Sequence, residues 1–62
     1  MNRYIVTLVL FAGTSSTVIR ETVNAPDADS ACSEAEYQAA LSHPGAEVYA
    51  DYAKRMIPGH VS

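Results

Sequence analysis

The 62-residue chain has no tryptophan, one phenylalanine and a single cysteine, Cys32. One cysteine excludes an intrachain disulfide. With only His43 and His60 to join it, the chain also falls short of the four ligands of a structural zinc site. Positive charge is scarce: four Lys plus Arg stand against seven Asp plus Glu, and no cation lies between Asn24 and Tyr52. Sequence-independent nucleic-acid binding needs a basic surface to neutralise phosphates, so no direct nucleic-acid partner is expected and basic proteins are. Long apolar runs are missing as well. The longest, Tyr4 to Phe11, is interrupted by Thr7 and is far short of the roughly 20 residues that span a bilayer, so no membrane partner is expected. Met1-Asn2-Arg3 ahead of this run resembles the start of a secretory signal. However, no small-x-small cleavage step follows cleanly, and Val, Ile, Thr and aromatic residues favour a strand. A reduced lone Cys fits the cytoplasm.

Catalytic patterns are equally thin. No Gly-rich phosphate loop, metal cluster or nucleophile–base pair occurs at a recognised spacing. Ser15, Ser16 and Ser30 have no base at a suggestive distance, and residue 2 is Asn where a small tautomerase would carry a catalytic Pro. The chain reads as non-enzymatic, with no metal and no cofactor.

What is present is a sequence of elements. Arg3 to Phe11 reads as a strand apolar on both sides, with Tyr4, Val6, Leu8 and Leu10 on one face and Ile5, Val9 and Phe11 on the other. Such a strand belongs in the centre of a sheet. Ala12-Gly13-Thr14-Ser15-Ser16 is a turn signal, followed by a more polar strand from Thr17 to Val23 with Ile19 and Val23 on one face. Asp27 is placed to cap a helix, with Asp29 in its first turn. At 100° per residue, Ala28, Ala31, Cys32, Ala35 and Ala39 form one narrow stripe, with Glu34 and Tyr37 opposite and Glu36 and Gln38 on the flanks. Cys32 on that stripe reads as a small core residue. Pro44 ends the helix near Leu41 or Ser42, which leaves His43 a capping or merely exposed role.

Ala46 to Ile57 admits two readings. As a strand, Val48, Ala50, Tyr52 and Met56 point inward, while Glu47, Tyr49, Asp51 and Arg55 point out. As a helix, Tyr49, Tyr52, Ala53 and Met56 form a stripe and Asp51 pairs with Arg55. The strand is preferred, because a two-stranded hairpin alone is marginal and Pro44-Gly45 suits a helix-to-strand turn. The expected fold is therefore α+β, a ββαβ unit with a three-stranded antiparallel sheet in order 2-1-3 and one helix on one face. Residues 1–57 make the single domain, and 58–62, which include His60, form a loose tail. A domain this small buries only about 60% of its unfolded surface, so association is expected to support it.

Two surfaces stand out. Asp27, Asp29, Glu34 and Glu36 gather on the helix, suited to a basic partner or simply to the helix dipole and a solvated face. Tyr37 and Tyr49 face outward as amphipathic anchors, and Lys54 and Arg55 supply the nearest cations; these eight are the candidate partner-binding residues. The second surface is the sheet face that one helix cannot cover. There Ile5, Val9 and Phe11 are candidates for a homodimer contact, unless loops and tail fold over them.

From the helix onward, Ala25, Asp29, Ala31, Ala35-Glu36-Tyr37-Gln38 and Gly45-Ala46-Glu47-Val48 resemble the small inhibitor of bacterial RNA polymerase found in podoviruses. The resemblance covers Ala25 to Val48. It implies a hairpin–helix–strand fold and binding to the jaw of the polymerase β′ subunit across the path of downstream DNA. It also implies an acidic contact surface that maps here to Asp29 and Glu36. The family carries Arg two and four residues past its Glu-Val step; Ala50 and Tyr52 stand there in this chain, and Lys54-Arg55 comes later. The family's N-terminal extension has no counterpart before Arg3. The expected function is thus a phage-like protein that inhibits a host protein in the bacterial cytoplasm, RNA polymerase first among targets. The alternatives are another host or defence protein met through the same acidic surface, or a homodimeric module.

Overall fold

The computed structural model describes residues 1–56; the expected tail from 58 onward, with His60, lies outside the described residues. β1 spans Asn2–Ala12, β2 Ser15–Ala25, α1 Ala28–Ser42 and β3 Glu47–Arg55. The strands form one sheet in the order β2-β1-β3, and β1 is antiparallel to both neighbours. The α+β ββαβ arrangement expected above is the one found, with the most apolar strand in the centre and the ambiguous third segment a strand.

The hairpin is tighter than its turn composition suggested. Ala12 pairs with Ser15, which leaves only Gly13 and Thr14 as loop. Gly13 has φ 62°, and among the described residues no non-glycine residue has positive φ. That combination matches the first central position of a type II′ turn, whose twist suits the flanking strands. Ser15 and Ser16 are therefore drawn into β2. The second turn is equally specific. The N–H of Ala46 donates to the carbonyl of His43 at 3.1 Å, and Gly45 has φ 95°. Pro44 followed by a positive-φ glycine is the signature of a type II turn, and it reverses the chain from helix into β3. His43 itself is the C-cap, its backbone N–H donating to Ala39 at 2.9 Å.

Asp27 caps the other end of α1, its Oδ1 accepting from the Ser30 N–H at 2.8 Å. The stripe laid against the sheet is Ala31, Ala35 and Ala39, all fully buried, with Cys32 half-buried beside them. Ala28 is exposed, because it lies in the first turn beyond the sheet contact. Three methyl groups at one-turn intervals let the helix axis approach closely. The buried volume comes instead from Tyr4, Val6, Leu8 and Leu10 of β1, with Val23 and Ala25 of β2.

β3 departs from simple alternation. Thr7 pairs with Tyr52 but Leu8 pairs with Ala50, so Asp51 is an extra residue in a bulge. A bulge inserts one residue and resets which side later residues face. Val48, Ala50 and Ala53 consequently pack toward the helix, whereas Tyr52 is turned onto the opposite face with Tyr49 and Lys54. Tyr52 was expected inward with Val48 and Ala50, and Arg55 outward with Glu47 and Tyr49. The bulge exchanges them, and Arg55 shares the face of its partner Tyr4.

Candidate interaction surfaces

The helix places its acids unequally. Asp27 is committed to the cap, and the Ser30 hydrogen bonds hold its carboxyl below the usual range. Glu36 reaches across to the sheet, where its Oε2 accepts the N–H of Ala50 at 2.8 Å. This N–H belongs to the residue beside the bulge, where the regular ladder is interrupted, and buried or half-buried backbone donors need an acceptor. Glu36 is thus a fastening between α1 and β3. Asp29 and Glu34 remain exposed on the outer side. Glu34 accepts from Gln38 Nε2 at 2.9 Å, one helical turn away, and Tyr37 stands beside them, 61% exposed. The sequence pattern brought four acids to one helix; the structure leaves Asp29 and Glu34 as the exposed pair, with Tyr37 exposed three residues after Glu34.

The other surface is the sheet face away from α1. Register sets its rows: Thr22, Ile5 and Lys54; Arg20, Thr7 and Tyr52; Val18, Val9 and Tyr49; Ser16, Phe11 and Glu47. Phe11 is 44% exposed, Val18 59%, and Tyr49 and Tyr52 52% each. Phe11 and Tyr49 meet edge-on with ring centroids 5.7 Å apart, a favoured aromatic geometry. The Tyr49 hydroxyl donates to Glu47 Oε1 at 2.9 Å; this bond to a carboxylate pushes the phenol pKa up. Thr7, in the middle of the face, is buried between its neighbours Arg20 and Tyr52. Ile5, Thr7, Arg20, Tyr52 and Lys54 line an open hollow of about 250 Å³. Tyr52 and Val18 were not anticipated here. Val18 and Arg20 followed from strand alternation alone, but Tyr52 required the bulge.

Charge is divided between the two sides. Arg3, Arg20 and Lys54 share the face of Ile5 and Val9 by register, while Glu21 shares the face of Val6 that the helix covers. A polar groove of about 350 Å³ runs between β2 and α1, lined in part by Glu21, Glu34, Gln38 and Ser42. Lys54 and Arg55, adjacent in sequence, lie on opposite faces and do not form one basic site.

Burial pushes the Cys32 thiol pKa up, and the nearby charges of Glu36 and Asp29 add to it. A thiolate is what reacts, so this environment makes Cys32 a poor nucleophile. Among the described residues no group of three or more His, Cys, Asp or Glu could hold a metal ion, and no helix is long and apolar enough to cross a membrane. No family model, curated protein or solved structure matches the chain.

Proposed function

We propose that the chain is a small non-enzymatic inhibitor of phage type that binds a host protein in the bacterial cytoplasm, with the β′ subunit of RNA polymerase as its leading target. The reading draws its target from the resemblance over Ala25 to Val48, and the ββαβ order agrees with that family's architecture. The observation that carries it is the segregation of charge. Asp29, Glu34 and Tyr37 are all exposed on α1, and three of the four cations lie on the sheet face away from the helix. Carboxylates presented this way meet a basic groove much as a row of phosphates would, and Tyr37 supplies the apolar anchor such contacts need. Bound in a channel built for nucleic acid, the helix side would exclude the duplex by charge and by volume.

The test is binding of the purified chain to purified bacterial core polymerase, with run-off transcription as the second readout. Binding should weaken steeply with added salt, because exposed charge pairs are screened beyond about 10 Å at 0.1 M. The double variant Asp29→Lys with Glu34→Lys should lose the complex while keeping its fold. Glu36 is unsuited to this test, since its reversal would break the Ala50 contact. No association with polymerase, or association indifferent to the double reversal, overturns the reading.

A further inference from the structure

The open sheet face is self-complementary, and we infer that it is covered by the same face of a second copy of the chain, packed antiparallel about a two-fold axis. The surface has an apolar and aromatic centre in Val9, Val18, Tyr49 and Tyr52, a hollow at Thr7 beside Arg20, and opposite charges at the two ends of β3. Glu47 sits in the Phe11 row at one end of β3, and Lys54 in the Ile5 row at the other. Consider two such faces stacked with the two-fold axis running across the strands, midway between the Thr7 and Val9 rows. Each β3 then lies over its partner's β3, and Glu47 of each copy lies over Lys54 of the other. Phe11 comes over Ile5 and Tyr49 over Tyr52, so the exposed aromatic residues close on apolar or aromatic surface. With the axis along the strands instead, Glu47 would meet Ser16 and Lys54 would meet Thr22, and the charges would be left uncompensated. A two-fold contact is isologous, so one complementary pair counts twice.

The architecture gives the same face a reason to be covered. A sheet apolar on both sides is stable when both sides are buried, and aligned sheets pack about 10 Å apart within about 30°. Four rows across three strands give roughly 400 Å² of plan area per copy. Side-chain relief raises the accessible area toward, though not up to, the about 800 Å² per partner of a standard interface. A dimer that builds up with concentration, not one already complete at high dilution, is what such an area supports. This inference does not depend on the polymerase reading, because the helix surface lies on the far side of the sheet.

Sedimentation equilibrium over the micromolar range tests it. The apparent mass should rise from one chain toward two. Glu47→Lys alone and Lys54→Glu alone should each weaken association about tenfold or more, and the two together in one chain should restore it. Both residues are exposed, so circular dichroism should show an unchanged fold. Val9→Lys, at the centre of the face, should abolish the dimer. A chain that stays monomeric at every concentration overturns the inference, and so does a double reversal that fails to restore what the single changes lose. A dimer that ignores polymerase discards only the earlier reading, and a monomer that binds polymerase discards only this one.

Discussion

β1 feeds two faces from alternate positions of one strand. Tyr4, Val6, Leu8 and Leu10 go to the helix side, and Ile5, Thr7, Val9 and Phe11 to the open side. The two sets are close in size and apolarity, yet the first is buried and most of the second is half-exposed or exposed. What separates them is the layer above. α1 covers one side with alanines and fastens itself with Glu36, so the same kind of residue contributes to monomer stability on one face and to association on the other. Inward apolarity is therefore not a property of a side chain in a strand; it depends on which elements the chain can still supply. Among the described residues that is one helix.

Breaking the covered face should have the largest effect. Leu8 and Val6 are the largest fully buried side chains. Leu8→Ala removes three methyl-sized groups where the helix cannot follow, and a loss of about 2–5 kcal/mol is expected. Val9→Ala, its neighbour on the open face, should change the unfolding free energy of the monomer by less than about 1 kcal/mol. Chemical denaturation at dilute protein measures both. Comparable losses would mean that the open face is packed within the monomer after all.

The contact that ties the covered face together comes next. Glu36→Ala leaves the Ala50 N–H without its carboxylate at the bulge, and a loss of about 1–3 kcal/mol is expected. Glu36→Gln keeps an acceptor in place and should recover most of it. Hydrogen exchange at Ala50 gives a direct readout, since its amide should exchange faster in the Ala variant and stay protected in the Gln variant. Equal stability of the two variants would show that solvent satisfies this N–H as well as Glu36 does.

Why the architecture was legible and the surfaces only in part follows from range. Asp27 as N-cap, Pro44-Gly45 as the helix-to-strand turn, and the two-sided apolarity of Tyr4 to Phe11 are local signals, and they fix the helix limits and the central strand. The 2-1-3 order then follows from handedness. Asp51 carries no local mark of a bulge, because bulges depend on how β3 meets β1 across more than forty positions in sequence. That is why Tyr52 and Arg55 exchange sides relative to a plain period of two. Glu36 eluded the sequence for the same reason: an acid on a helix flank looks solvated until the strand it reaches is in place. Of the acidic cluster, the pattern located the helix side correctly but could not separate Asp29 and Glu34, which face out, from Asp27 and Glu36, which hold the fold.

The smallest expected effect is the pH dependence that the capping acid, Asp27, gives to stability. The folded state lowers the Asp27 pKa through the Ser30 bonds, so the native chain binds fewer protons there than the unfolded chain does. Stability then rises with pH through the carboxylate range. The contribution is fully present above the ordinary Asp pKa and is lost as pH falls through the lowered, folded value. Asp27→Asn keeps a capping oxygen for the Ser30 N–H but has no proton to exchange. Its melting temperature should therefore lie slightly below that of the parent near neutrality and converge with it in acid. Thermal melts of the two chains across the acid range decide the matter, and parallel curves for Asp27→Asn and the parent would show that the cap, and not its charge, is all that Asp27 contributes.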